Sequence, residues 1–342
     1  MSDSSGISRR NFFGAGVTAG TIAALGTAVP LLGANTAGAA AARTFTGIGL
    51  ALEFDGAPAG LLSGAEGGGL LSAKVADGAT GAASASSFSG FSPGFPEPQP
   101  IKLYFGGSLS SKVLDWFASK DGSPHNVDVV MFDTVTGNEV YRLQMSRVVV
   151  GSFGLETLDA SKTDVLEFVA TLVPGQVSHV LTKKAKITGL GTKSKVLRSN
   201  LFRFFVQGLE QSTQYTVSVE NLSFTRKLRL APANDGRGSF NVLPGGPSGV
   251  DTIEAVLSLG AAGPFYQWFA DQWSGKPSAK AGQVQLLTPD GQTSLATIDL
   301  IGLEPLGVST PFDSTPASDS VARVKVSLLA RDIKFNLKDL AA

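Results

Sequence analysis

The sequence predicts a mainly β protein of two tandem β-barrel or sandwich domains, each with one short flanking helix. Three observations carry this. Apolar runs rich in β-branched and aromatic residues recur between clusters of Gly, Pro, Asn and Asp. Only two stretches have the spacing of an amphipathic helix. Elements of the first half recur in the same order in the second.

Residues 46–54 (TGIGLALEF) form an apolar strand that ends at Asp55-Gly56, a hairpin turn signal. Residues 126–132 are a second strand, followed by a turn at Gly137-Asn138. Residues 140–150 and 165–173 supply further strands. In the last of these Leu166, Phe168, Ala170 and Leu172 share one uniformly apolar side, which faces the core. Residues 110–120 read as a helix with Val113, Leu114 and Phe117 as its stripe, Ser110 as cap and Asp121-Gly122 as stop. Residues 263–273 are its counterpart, with Pro264 in the first turn and Phe265, Trp268 and Phe269 as the stripe. That spacing favours core packing over a carbohydrate-stacking platform.

The internal match follows the same order. Residues 103–105 before Trp116-Phe117-Ala118 parallel 255–257 before Trp268-Phe269-Ala270. Residues 127–132 with the Gly137 turn parallel 284–287 with the Asp290-Gly291 turn, and 165–172 parallel 321–328. Residues 50–54 answer 201–206. The offset drifts from 152 at the tryptophans to 156 at the closing strands, which small loop insertions supply. Softer segments separate these elements. Residues 64–100, rich in Gly, Ala, Ser and Pro, read as a long loop or arm, and 234–249 as its counterpart loop. Lys183, Lys184, Lys186, Lys193 and Lys195 mark a basic stretch that reads as a solvated linker or an electrostatic docking strip. The resulting map is a leader at 1–39, domains at 44–182 and 198–340, and a linker at 183–197.

The leader is an address. Ser8-Arg9-Arg10-Asn11-Phe12-Phe13 resembles the twin-arginine export motif, a glycine-diluted apolar stretch follows, and Ala37-Gly38-Ala39 fits a cleavage site. That glycine content leaves no stable membrane span after cleavage. The expected location is periplasmic, cell-surface or extracellular, with the twin-arginine export machinery as a partner.

Composition narrows the chemistry. Of 342 residues 43% are hydrophobic and only 16% charged, and Lys plus Arg equals Asp plus Glu at 28 each. Cleavage removes only Asp3, Arg9 and Arg10, so the net charge stays near zero, and no nucleic-acid partner is expected. The absence of cysteine excludes disulfides, thiol nucleophiles and thiolate-held metals. His125 reads as a surface turn residue and His179 as a residue at the linker edge. Gly90-Phe-Ser92-Pro-Gly94 has the letters of a nucleophile elbow, but Ser92 sits in Gly/Pro sequence with neither strand nor helix beside it. Glu66-Gly67-Gly68-Gly69 lacks both phosphate-binding patterns, and no calcium-loop spacing of acids occurs. Neither a cofactor nor a metal nor an enzymatic activity is expected. The alternatives are a secreted β-sandwich that binds a surface glycan or other ligand, with exposed Trp268 and Trp273 as its mark, and a hydrolase using paired carboxylates.

Residues 46–173 resemble the tail tube proteins of contractile phages, the group that includes the type VI secretion tube protein. The resemblance rests on residues 52–60 (LEFDGAPAG) with Ser63-Gly64, then 101–107 (IKLYFGG) leading to Leu114-Asp-Trp-Phe117. Residues 127–137, closing in an aspartate-to-glycine turn, and the strand 165–172 complete it. It implies subunits that form six-membered rings stacked into a hollow tube. A duplicated chain would then fill two positions, so that three chains make a pseudo-hexameric ring. It also implies an arm after the opening hairpin that orders against a neighbour, here carrying Phe88, Phe91 and Phe95. The export leader departs from the family, whose tubes assemble in the cytoplasm, and points to a tube or filament outside it.

Overall fold

Asp55 and Gly56, with φ of 50° and 79°, form the tight turn their sequence announces and join β1 (Ile48–Phe54) to β2 (Ala57–Leu62). Both central residues of such a turn need positive φ, which Gly supplies without strain and Asp tolerates. The computed structural model describes residues 47–75, 92–120, 122–181, 186–188, 195–233, 239–310 and 322–341. The export motif, Ala37, Ala39, Phe88 and Phe91 lie outside them.

The compact unit Ile48–Ala342 is mainly β. Its first half continues through β3 (Gly64–Gly67), β4 (Leu70–Val75), β5 (Ser92–Pro98) and β6 (Ile101–Phe105). After α1 (Ser111–Ala118) come β7 (His125–Asp133), β8 (Glu139–Asp159), β9 (Phe168–Val173) and β10 (Gln176–Val180). The second half holds β11 (Phe202–Val206), the short α2 (Glu210–Thr213), β12 (Thr216–Thr225), β13 (Leu228–Pro232), β14 (Phe240–Pro244) and β15 (Gly249–Val250). It ends with β16 (Ile253–Ser258), α3 (Gly263–Trp273), β17 (Lys280–Leu287), β18 (Ser294–Ser309) and β19 (Arg323–Asn336).

Both halves build the same antiparallel order, β1-β7-β8-β9-β6 in the first and β11-β17-β18-β19-β16 in the second. In the first half β2 bonds β1 and β3 bonds β6, with Ser63 between them. The β2–β3 segment thus links the two ends of that order, β1 and β6, and the sheet folds over its core in a sandwich-like manner. In chain order the hairpin β13–β14 falls between β12 and β16, as β4–β5 falls between β3 and β6. Among the described residues each half has one flanking helix of at least two turns. Val113, Leu114, Trp116 and Phe117 bury the apolar side of α1, and Phe265 and Trp268 that of α3. Both indoles tie their helix down in the same manner: Trp116 Nε1 donates to the Ser123 carbonyl at 3.1 Å and Trp268 Nε1 to that of Ser278 at 2.9 Å.

Four local expectations change. Residues 64–100 hold three strands rather than a continuous loop, because Leu70 to Val75 pair backbone to backbone with Ser92 to Pro98. Pro93, Pro96 and Pro98 are tolerated because, among the described residues, β5 bonds β4 alone and its other edge is unbonded. Residues 234–249 likewise contain β14. The strand expected at 140–150 runs to Asp159. Ser110 stands at the amino end of α1 without a side-chain capping bond, and the helix stops at Ala118, before Asp121-Gly122.

Candidate assembly interface

The two halves of the chain meet at a joint built on β8 and β12. β8 is long enough to serve two neighbours on one edge. Residues 139–148 pair with β7, and Ser152 to Asp159 pair with β12 through seven registered positions, Ser218 opposite Asp159 to Thr225 opposite Ser152. β9 and β10 take the other edge.

Side chains explain why the strands meet there. Phe153 is fully buried, and its ring centroid lies 4.7 Å from Phe335, 5.6 Å from Phe168 and 6.3 Å from Phe224. Two rings of the second half thus close on one of the first. Burial of such rings stabilises by about 2–3 kcal/mol each, and offset or edge contacts add about 0.5–1.5 kcal/mol per pair. Gly154 leaves room for β12: a Cβ there would lie 2.3 Å from the Leu222 carbonyl oxygen and 2.5 Å from Ser223 Cα. Arg226, just past β12, donates from Nη2 to the Ser119 carbonyl at 2.6 Å and from Nη1 to that of Val150 at 3.3 Å. Lys120, after α1, pairs with Asp332 of β19. Burial raises the Asp332 pKa, but the hydrogen bond and charge of Lys120 outweigh this and hold it below the usual carboxylate value. Lys195, in the linker stretch, donates from Nζ to the Asp339 carbonyl of the second half. A shallow groove of about 210 Å³ runs along this seam, lined among others by Lys102, Thr171, Thr225 and Asp251.

The joint is heterologous: β8 belongs to one half and β12 to the other. Each of its faces therefore has an unused counterpart in the opposite half. Phe224 and Thr225 lie opposite Val250 and Gly249 of β15, and in the first half Leu70 and Leu71 lie opposite Pro98 and Glu97 of β5. Phe153 and Gly154 lie opposite Ala170 and Val169, and in the second half Val308 and Ser309 lie opposite Val326 and Lys325. Exposure separates used from unused. Phe224 is 0% exposed, whereas Leu70 is 45% and Leu71 60% exposed, and Leu306 on β18 is 51% exposed. Among the described residues no strand bonds β18 beyond Leu303 on its β17 edge, and none bonds β3 or β4 on the edge away from β6 and β5.

The sequence-derived candidates fall elsewhere. Phe95 lies in β5. Ser92 begins β5 and is not on a strand-to-helix turn. His125 starts β7 and pairs through Nδ1 with Asp55 at 2.9 Å, against the Phe54 and Trp116 rings. His179 lies on β10 beside the Tyr141 hydroxyl. Lys186 and Lys195 of the basic stretch are tied by bridges to Asn138 and Gly107. Trp268 is core, whereas Trp273 is 85% exposed and stacks on Phe269 at 6.5 Å. Among the described residues no group of His, Asp and Glu is placed to hold a metal, and no helix is long and apolar enough to cross a membrane. Sequence reading missed β12 and residues 151–159, although the alternation in Thr216-Val-Ser-Val219 and the apolar pair Phe153 and Leu155 were visible signals.

No protein-family model and no curated protein matches the chain. Solved structures give partial likenesses. A chain of an extracellular contractile injection system, the PVC sheath-tube complex in the extended state, is 18% identical. That alignment covers 40% of this chain and 88% of the other, at a TM-score of 0.34. A chain of the PVC sheath/tube terminator is 15% identical over 44% of this chain and 99% of its own, at 0.32. Hcp1 from Flavobacterium johnsoniae is 15% identical over 40% and 94%, at 0.25. At these scores the likenesses carry no weight for function.

Proposed function

We propose that this chain is an exported structural protein, not an enzyme, that self-assembles into tail-tube-like rings, tubes or filaments. One observation carries the reading: the halves join through two different faces, and among the described residues the counterpart edge of each is unbonded and carries exposed apolar side chains, Leu70 and Leu71 on β4 and Leu306 on β18. A heterologous contact of that kind repeats from molecule to molecule and ends in a closed ring or an open helix. The shared strand order of the halves supports a tandem duplication, with domains at 44–182 and 198–340 and a linker at 183–197. With three chains and six equivalent halves the ring would be pseudo-hexameric. The low charge suits subunit interfaces, whose centres are poor in charged residues.

Residues 1–39 would direct the folded protein through the twin-arginine route to a periplasmic, cell-surface or extracellular site. Phe88, Phe91 and Phe95 would belong to an arm that strengthens assembly. Electron microscopy and analytical ultracentrifugation of the purified protein test the assembly. Rings, tubes or fibres are expected, and a strict monomer at high concentration overturns the reading. Replacing Arg9 and Arg10 together by lysine is expected to leave the uncut, folded protein inside the cell, as fractionation would show.

A further inference from the structure

We infer that two copies of this chain join by repeating the joint between its halves. The edge of β18 in one copy pairs with the β3–β4 edge of the next, Gly307 opposite Leu71, Val308 opposite Leu70 and Ser309 opposite Gly69. This rests on the assembly reading above and names its partner and register.

The register follows from the ladder inside the chain. Thr225, Phe224 and Ser223 of β12 face Ser152, Phe153 and Gly154 of β8. Matching each through its partner on the other edge, Phe224 with Val250 becomes Leu70 with Pro98, and Phe153 with Ala170 becomes Val308 with Val326. Antiparallel order is kept, because β3 runs against β6 as β12 runs against β16. The backbone also agrees at the bend: Asn221 has φ 60° in β12, and Gly67 and Gly68 have φ 96° and 76° at the matching place.

The second contact would cover side chains that are open or half-open. Leu70, exposed, stands where Phe224 is buried, and Val308, partly buried against the core, stands where Phe153 is fully buried. The helices differ in the same sense. Phe117 on α1, beside the internal joint, is fully buried, whereas Phe269 on α3 is only partly covered and Trp273 is open to solvent. Unbonded strand edges flanked by apolar side chains pair readily with another strand. A second copy supplies both halves of the match, since one face lies in each half of every chain.

The experiment uses the purified full chain, which has no native thiol. A Leu71→Cys/Gly307→Cys double variant puts thiols on residues directly opposite between chains, where antiparallel Cα atoms are about 4.5–5.5 Å apart and a disulfide fits. Mild oxidation is expected to give a ladder of covalent multimers on a non-reducing gel. A Leu71→Cys/Ser309→Cys control, out of register, is expected to give far less. Separately, Leu70→Asp and Leu306→Asp change exposed residues, so the melting temperature of the monomer is expected to hold while self-association weakens on the order of 10- to 100-fold. If the wild type assembles but the two cysteine pairs cross-link equally, or both aspartate variants assemble normally, this register is wrong and the assembly reading stands. A wild-type chain that stays monomeric overturns both.

Discussion

Arg142 lies where β1, β7 and β8 meet and holds three carboxylates at once: Glu53, Asp128 at 2.8 Å and Glu139 at 2.8 Å. Its hydrogen bonds with Glu139 and then Glu53 raise the guanidinium pKa further above its ordinary value. The Glu139 side chain is 2% exposed, so removing the cation leaves a buried anion without its guanidinium. Arg142→Met is expected to lower stability by about 3 kcal/mol, read as a fall in the denaturant midpoint at unchanged slope. Arg142→Lys should recover only part, because an ammonium cannot bridge three carboxylates with a planar fork. Gly154 is a second such position, constrained by space. Gly154→Val would drive its side chain into the β12 backbone and cost about 1–3 kcal/mol. Gly249→Val, with nothing within 4 Å of the added Cβ, should change stability little. Equal melting temperatures for the two valine variants would show that the strands do not need the close approach.

Among the elements, β1, β7, β9 and both larger helices were legible because one period, 2 or 3.6, dominates each of them. Residues 151–159 were not, since Gly151 and Gly154 are poor strand formers and the segment is held in β geometry by its two neighbours, β9 at residues 152–155 and β12 at Ser152 to Asp159. The β4–β5 hairpin was hidden for a similar reason: its small residues and prolines look like a loop until a partner strand is in place. Candidate residues chosen for chemistry or aromatic content missed the interface because its pieces, β8, β12, β19 and the end of α1, converge only in the fold. The pair between Lys120 and Asp332 gives this contact a pH signature. A lowered carboxylate pKa adds stability that is present above the unfolded value, near 4, and is lost as pH falls through the lower folded value. Stability of the wild type should therefore drop below about pH 4 more steeply than that of Lys120→Met. The difference stays below about 1 kcal/mol because both side chains are about a third exposed. Parallel pH profiles for the two proteins would remove the pair from the joint's energetics.

For the whole molecule, the proposed contact between copies would repeat the strand pairing of the internal joint with Leu70 and Val308 in the places of Phe224 and Phe153. The joint has seven ladder positions, the Phe153, Phe224 and Phe335 contacts and the Arg226 hydrogen bonds, and its buried residues belong to one continuous core. Such a core predicts one cooperative melting transition for both halves rather than two. Separate production of residues 44–182 and 198–340 would turn the joint into a bimolecular contact, exposing Phe153 on one piece and Phe224 with Phe335 on the other. Mixed together, the pieces are expected to associate. The linker's contribution through effective concentration would be lost, making the assembly depend more strongly on protein concentration than that of the intact chain. If contacts within and between chains are equivalent, the mixed pieces and the intact chain should form rings of equal diameter, with twice as many polypeptides in the former. Mass photometry beside electron microscopy would read both quantities. Pieces that melt independently and never co-migrate would show that the joint is held only by its linker and cannot serve as the template for assembly.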